Sequence, residues 1–236
     1  MKRQKILINL IILLVAIFFA YQVFSYIKIE DDKEKSSEIY RQLDRNSLKK
    51  DNKDLIVDFS YLKNINPQVI AWIYSGDGRI SYPIVKPKDD NFTYLKTAFN
   101  GTKNIFGSIF MDYRNDSFDD DFIMIYGHMT KNETMFGSLN TFKNKPSYKD
   151  FDFYREDGKL RTEAVMAGII SGDNYINPKD YKNFDKRKEF FDFIRKNAVF
   201  DTGYELKESD EIVNLVTCSY ERKNSRLVVV TVKNNM

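Results

Sequence analysis

The chain has one cysteine and one histidine, and each sits just past a run of hydrophobic residues. Ile212-Val213-Asn214-Leu215-Val216-Thr217 leads into Cys218, and Phe122-Ile123-Met124-Ile125-Tyr126-Gly127 leads into His128. Residues 219–225, rich in polar groups, separate the cysteine from Arg226, which opens Leu227-Val228-Val229-Val230-Thr231-Val232. If the two flanking runs form an antiparallel hairpin, Cys218 and Arg226 face each other across its mouth, with Cβ atoms about 4.5–5.5 Å apart. The spacing therefore predicts a cation beside the thiol. A free thiol with a pKa of about 8.5 is mostly protonated near neutral pH; a neighbouring imidazolium and guanidinium raise the thiolate share. Thiolate attack on an amide carbonyl produces an oxyanion for Arg226 to stabilise and a leaving amine for His128 to protonate. Gly127 is expected to let the backbone turn at the strand end. Taken singly, each residue has a plainer reading: a buried inert thiol, a satisfied histidine, a solvated arginine. Residue physics leaves both readings open.

The elements that must position these groups follow from periodicity. Beyond residue 65 the chain alternates short apolar runs with Gly, Asn and Asp, predicting strands at 80–85, 108–112, 122–126, 151–155, 160–171, 212–218 and 226–233, with turns at Asp77-Gly78 and Asp157-Gly158. Seven or eight strands in this length make a mainly β barrel or sandwich. One helix interrupts them at about 181–198, with Phe184, Phe191, Ile194 and Ala198 on one side, and is expected to cover a face of the sheet. Upstream, Ser36 and Ser37 are expected to cap a helix running to about Lys50 with Ile39, Tyr40, Leu43 and Leu48 on one side, and a second helix spans 59–65, before Pro67.

Residues 6–27 form a 22-residue segment in which only Asn9, Gln22 and Ser25 are clearly polar. As a helix it reaches about 33 Å, enough for a hydrocarbon core of about 30 Å. Fifteen of the 22 are Leu, Ile, Val or Phe, favouring insertion by about −5 to −9 kcal/mol before the polar residues subtract. The run is too long for a cleaved signal and no A-x-A-like site follows it. Of the 37 basic residues, Lys2, Arg3 and Lys5 lie before the segment, so the remaining 34 match the 34 acidic ones and the +3 net charge belongs to the tail. The positive-inside rule then places residues 1–5 in the cytosol, 6–27 in the membrane, 28–35 as a linker and 36–236 as an extracytoplasmic domain. One cysteine excludes an internal disulfide framework, and one Cys with one His excludes the usual Cys/His zinc sites. Asp119-Asp120-Asp121 lacks the Gly and distal Glu of a calcium loop and reads as a solvated acidic turn. No metal or other cofactor is expected. Without a basic stretch interleaved with aromatics, neither is nucleic acid.

These segments together resemble a class B sortase, a membrane-anchored cysteine transpeptidase of Gram-positive bacteria. Asn214-Leu215-Val216-Thr217-Cys218 is similar to the family's T-L-x-T-C strand, departing at Asn214 and carrying Val216 where class B commonly has Ser. Tyr126-Gly127-His128, then Met135-Phe136-Gly137, resembles the segment around the family histidine. Gly107-Ser108-Ile109-Phe110-Met111-Asp112-Tyr113-Arg114-Asn115 and Asn66-Pro67-Gln68-Val69-Ile70-Ala71-Trp72-Ile73 also match, so the likeness covers most of 36–233.

The resemblance implies a closed seven- or eight-stranded sortase-type barrel, with N-terminal helices and a helix between late strands. It implies cleavage of a C-terminal sorting signal of exported surface proteins, of the Asn-Pro-Xaa-Thr-Asn or Ser-Pro-Xaa-Thr-Gly kind, through a thioester on Cys218. An amine of peptidoglycan or its precursor then resolves the thioester. Cys218 would be nucleophile, His128 acid and base, and Arg226 the oxyanion or substrate stabiliser. Asn91, Tyr94, Leu95, Tyr126 and Thr217 would contact substrate. The remaining reading is a membrane-anchored sortase-like binding module without activity.

Overall fold

The computed structural model describes residues 2–51, 54–130 and 133–234. Residues 1, 52, 53, 131, 132, 235 and 236, which the expected tail and extracytoplasmic domain include, lie outside them. The chain opens with α1 (Lys2–Ser47), a single helix of 46 residues. The expected linker at 28–35 is helical, and no helix starts at Ser36. Two features carry the helix through. There is no Gly or Pro between residues 2 and 47. The charges also fall at helical spacing, with Lys33–Glu30, Lys35–Asp31 and Arg41–Glu38 pairs. The apolar N-terminal part is exposed along its length, whereas Ser36, Tyr40, Leu43 and Ser47 are buried on one stripe.

The helix stops at Ser47, three residues short of the expected end. Leu48, expected on its apolar side, instead opens β1 (Leu48–Asp51), which pairs antiparallel with β2 (Asp54–Val57). Helix α2 (Phe59–Ile65) follows where the sequence places it, capped by Asp58, whose carboxylate accepts the Tyr61 N–H at 2.9 Å.

Among the described residues, eight strands close a barrel. They are β3 (Val69–Ser75), β4 (Ser81–Val85), β5 (Ile109–Met111), β6 (Phe122–Tyr126), β7 (Asp150–Arg155), β8 (Gly158–Ser171), β10 (Ile212–Ser219) and β11 (Ser225–Lys233), in the order β11-β10-β6-β5-β4-β3-β7-β8. Pairing of β11 with β8 completes the ring, and the short β9 (Ala198–Asp201) adds to the free side of β8. All pairs in the ring are antiparallel except β4–β5 and β6–β10. Strands β3 and β9 were not among those expected. In β3 the run Val-Ile-Ala-Trp-Ile-Tyr-Ser lacks alternation because the strand is mostly buried on both faces. Strand β9 begins at Ala198, where the late helix was expected to end.

That helix, α3 (Phe184–Lys196), is shorter at both ends than the expected 181–198. Asn183 caps it, accepting the Lys186 N–H at 2.9 Å, and a separate 3-10 turn (Pro178–Tyr181) precedes it. Phe190, Phe191 and Ile194 pack onto the outside of the barrel over Phe122, Met124, Val216, Val228 and Val230. The alternate residues Ile123, Ile125, Val213, Leu215, Leu227 and Val229 join Trp72 and Phe153 in a separate cluster that fills the interior. Strands β10 and β11 are thus buried on both faces, which explains their unbroken apolar runs.

Helix α3 lies close against the sheet at Gly168. A Cβ there would lie 2.8 Å from both Cγ2 and the carbonyl oxygen of Ile194. Gly168→Ala is expected to lose about 1–3 kcal/mol through overpacking, measured as a lower urea midpoint with an unchanged slope.

Candidate active site

The hairpin expected from the spacing is present. Strands β10 and β11 pair with Cys218 directly opposite Arg226. Strand β6 lies on the other side of β10, parallel to it, with Tyr126 opposite Val216. The pairing continues one step further, since the Gly127 N–H donates to the Val216 carbonyl at 3.1 Å. His128 follows directly. The only cysteine and the only histidine of the chain, with Arg226, therefore leave three neighbouring strands at the same end of the barrel.

Orientation follows from alternation. Residues 212 and 216 of β10 and residues 228 and 230 of β11 face outward, under α3. Cys218 and Arg226 continue those rows past the cover of the helix. The burial pattern changes there: residues 212–217 of β10 are all buried, and Cys218 is exposed. His128 and Arg226 are half-buried.

The Gly127 requirement differs from the one expected. Gly127 is not among the residues with positive φ. What it supplies is room: a Cβ would sit 2.6 Å from the Phe136 ring. The Phe136 N–H donates to the His128 carbonyl at 3.0 Å, so Phe136 closes the loop that carries the histidine. The Tyr220 hydroxyl donates to the Met129 carbonyl at 3.3 Å, tying the loop after the cysteine to the loop after the histidine. Lys143 holds the first of these loops through Glu221 at 2.5 Å. Burial alone would raise the Glu221 carboxyl, but Lys143 and the backbone N–H groups of Tyr220 and Glu221 together make the net shift downward.

A groove of about 270 Å³ runs along the outer face and reaches Arg226. Tyr126, Val216, Arg226 and Val228 floor it, and Tyr175 and Ile176 of the loop after β8 wall it. Of the five residues expected to contact substrate, Tyr126 lines this groove, and its hydroxyl donates to Asp112 at 3.0 Å. Asn91 reaches the same carboxylate, donating at 2.9 Å, and accepts the Tyr113 N–H at 3.0 Å. Tyr94 is buried, donating to Gln68 at 2.6 Å and accepting from Asn66 at 2.9 Å. Leu95 is half-buried against the barrel core. Thr217 is buried with its hydroxyl unpartnered, on the strand face opposite Cys218.

The three aspartates read as an acidic turn are engaged separately: Asp119 with Arg155 at 3.3 Å, Asp120 with Asn115 at 2.7 Å and Asp121 with Arg187 at 3.0 Å. The acid that does serve the site is Asp112, fully buried beneath the groove. The motif quoted for its family likeness contains it, but only its Asp-x-Arg spacing hints at an ion pair.

No family model matches the chain. Individual relatives do. Sortase B of Staphylococcus aureus is 28% identical over 98% of this chain and 96% of its own length. Sortase B of Clostridium perfringens, a solved structure, is 32% identical with a TM-score of 0.65, covering 75% of this chain and all of that one. Sortase B of B. anthracis is 27% identical with a TM-score of 0.73, covering 87% and 98%.

The chain belongs to the class B sortases.

The sortase barrel, its late helix and the apolar N-terminal helix are those the resemblance implied. The protein is a sortase B-type cysteine transpeptidase. Sorting-signal-bearing substrates and cell-wall amine acceptors follow from that class.

His128 has a specific electrostatic setting. Burial holds the His128 imidazole below its ordinary 6.5, and the positive charge of Lys96 adds to the shift. Both effects favour the neutral ring over the imidazolium. The unfolded chain binds the extra proton more readily, so this group costs stability as pH falls through 6.5. Because the chain has one histidine, a single Hε1 proton resonance reports on it. Its midpoint is expected below 6.5 in the folded protein, moving upward in Lys96→Gln. A midpoint at or above 6.5 would contradict this.

Proposed function

We propose that Cys218 is the nucleophile, His128 the acid and base, and Arg226 the oxyanion stabiliser of the transpeptidation. The observation that carries the assignment is the strand register, with exposed Cys218 opposite Arg226 at the end of an otherwise buried strand and the histidine leaving the neighbouring strand. The neutral His128 takes the proton of the Cys218 thiol as sulfur attacks the scissile carbonyl. Charge developing on the carbonyl oxygen meets the Arg226 guanidinium. His128 then gives its proton to the departing amine, leaving the donor protein as a thioester on Cys218. In the second half, an acceptor amine attacks the thioester, His128 takes a proton from it, and the expelled thiolate is reprotonated. The cycle needs no redox partner.

The groove over Tyr126, Val216 and Val228 is the site we assign to the sorting signal. Val216 places methyl groups there, where class B commonly has a hydroxyl. Tyr126 touches the peptide, Leu95 flanks it, and Asn91 acts through Asp112, while buried Tyr94 and Thr217 support the walls from behind. The donors are exported surface proteins with a C-terminal sorting signal, and the acceptor is an amine of peptidoglycan or its precursor. Residues 6–27 anchor the enzyme, with residues 1–5 in the cytosol and the catalytic domain, 36–236, outside.

The full chain in detergent, given quenched-fluorescent peptides of the Asn-Pro-Xaa-Thr-Asn and Ser-Pro-Xaa-Thr-Gly kinds, is expected to cleave one class and to carry an acyl adduct on Cys218 by mass spectrometry. Cys218→Ala abolishes both, and Arg226→Met lowers kcat by about 10²–10³. If no peptide is cleaved and Cys218 resists alkylation, the inactive binding module becomes the better reading.

A further inference from the structure

One buried ion pair joins every side of the groove. Asp112 has no exposed surface. Its carboxylate accepts from Arg114 Nε at 2.8 Å and Nη2 at 2.6 Å, and from the Arg114 backbone N–H at 3.0 Å. It also accepts from the Tyr126 hydroxyl on the floor and from Asn91 on the flanking loop. Burial alone would raise this carboxyl, but the Arg114 guanidinium, the Arg114 backbone N–H and Asn91 together hold it below the usual carboxylate range. Asp112 is thus charged, and five donors surround it.

Arg114 spends its remaining donors on the far wall. Nη1 donates to the Tyr175 hydroxyl at 2.8 Å and Nη2 to the Ile176 carbonyl at 2.9 Å, and the guanidinium lies 5.2 Å from the centre of the Tyr175 ring. The Tyr175 ring itself is 79% exposed, so packing does not hold it. The other end of the same loop is fixed separately: Asn224 donates to Asp173 at 2.7 Å, and its carbonyl accepts the Gly172 N–H at 2.5 Å. Asn224 belongs to the segment between Cys218 and Arg226. The wall therefore has two attachments, one to the catalytic hairpin and one, through Arg114, to the barrel.

We infer that the Asp112–Arg114 pair is a positioning device that sets the width of the substrate groove, holding Tyr175 and Ile176 at a fixed distance from Tyr126 and Val216. A bidentate guanidinium suits the task, since its planar fork engages the carboxylate on one edge while other N–H groups remain for the wall. A lysine in the same place keeps the charge pair but cannot reach carboxylate, Tyr175 hydroxyl and Ile176 carbonyl together. The inference rests on the assignment of this groove to the sorting signal, and it deepens that assignment by naming what holds the wall.

The test uses the full chain in detergent and the sorting-signal peptide it cleaves. Arg114→Lys is expected to raise KM about tenfold with kcat within twofold, and to leave the alkylation rate of Cys218 by iodoacetamide unchanged. Backbone amides of residues 172–176 should exchange with deuterium faster. Tyr175→Phe removes one hydrogen bond without threatening the fold and should raise KM by a few fold. The double variant should be no worse than Arg114→Lys alone, since both cut the same tether. If Arg114→Lys leaves KM within twofold of the parent while Tyr175→Ala raises it, the pair is merely structural and the inference falls. If Tyr175→Ala and Arg114→Lys both leave KM unchanged, the peptide does not occupy the groove and the site assignment falls with it.

Discussion

The register of three strands at one end of the barrel is the constraint on which the site depends. Antiparallel pairing sets Cys218 opposite Arg226, and parallel pairing of β6 with β10 sets Tyr126 opposite Val216. A slip of one residue in either ladder would turn the thiol or the guanidinium to the other face of the sheet. Such a slip is prevented by burial on both sides. Inward Leu215, Leu227 and Val229 and outward Val216, Val228 and Val230 would each have to exchange environments with their neighbours. The apolar content of β10 and β11 is therefore what aims Cys218 and Arg226.

The same arrangement explains why reactive groups tolerate their position. Within β10, residues 212–217 are shielded, and an ionised group there would pay a large desolvation cost. Cys218 is the first position past that shield and His128 the first past the β6–β10 ladder, so both reach partial solvent while their backbones stay fixed by the strands. The loops that follow are fastened to each other, by Tyr220 on Met129 and by Glu221 on Lys143. Rigid strands supply direction, and loop-to-loop contacts limit how far the ends stray.

What was legible in the sequence divides along physical lines. The Cys218–Arg226 opposition was a matter of counting, because a hairpin is local and its register follows from loop length. The proximity of His128 was not countable: it depends on a parallel pairing between strands far apart in the chain, and only the likeness to a known family suggested it. Strand β3 escaped although it is mostly buried on both faces, as the expected β10 and β11 are. The 28–35 segment read as a linker because its charges suggest solvation, yet those same charges sit at the three- and four-residue spacings that bind a helix together. Asp112 and Arg114 offered only the spacing of an ion pair, and Tyr175 no signal, since their joint meaning arises only when the loop after β8 folds across the outer face.

The continuity of α1 has a mechanical consequence. The helix is fastened to the barrel at Tyr40, whose hydroxyl donates to the Gly107 carbonyl at 2.9 Å, and at Asp32, whose carbonyl accepts from Asn104 at 2.7 Å. With residues 6–27 in the bilayer, as proposed, Asp32 stands five residues beyond the membrane segment, about 7.5 Å along a helix axis. A flexible stalk would let the barrel sample many heights and tilts. A helix gripped by the barrel this close to its emergence removes most of that freedom, because bending it between residues 27 and 32 would break backbone hydrogen bonds without any Gly or Pro to relieve the strain. The catalytic end is then presented at a nearly fixed height. For an enzyme whose donor bears a sorting signal and whose acceptor is a cell-wall amine, that restriction acts before any contact in the groove, by limiting which substrates can reach that end of the barrel.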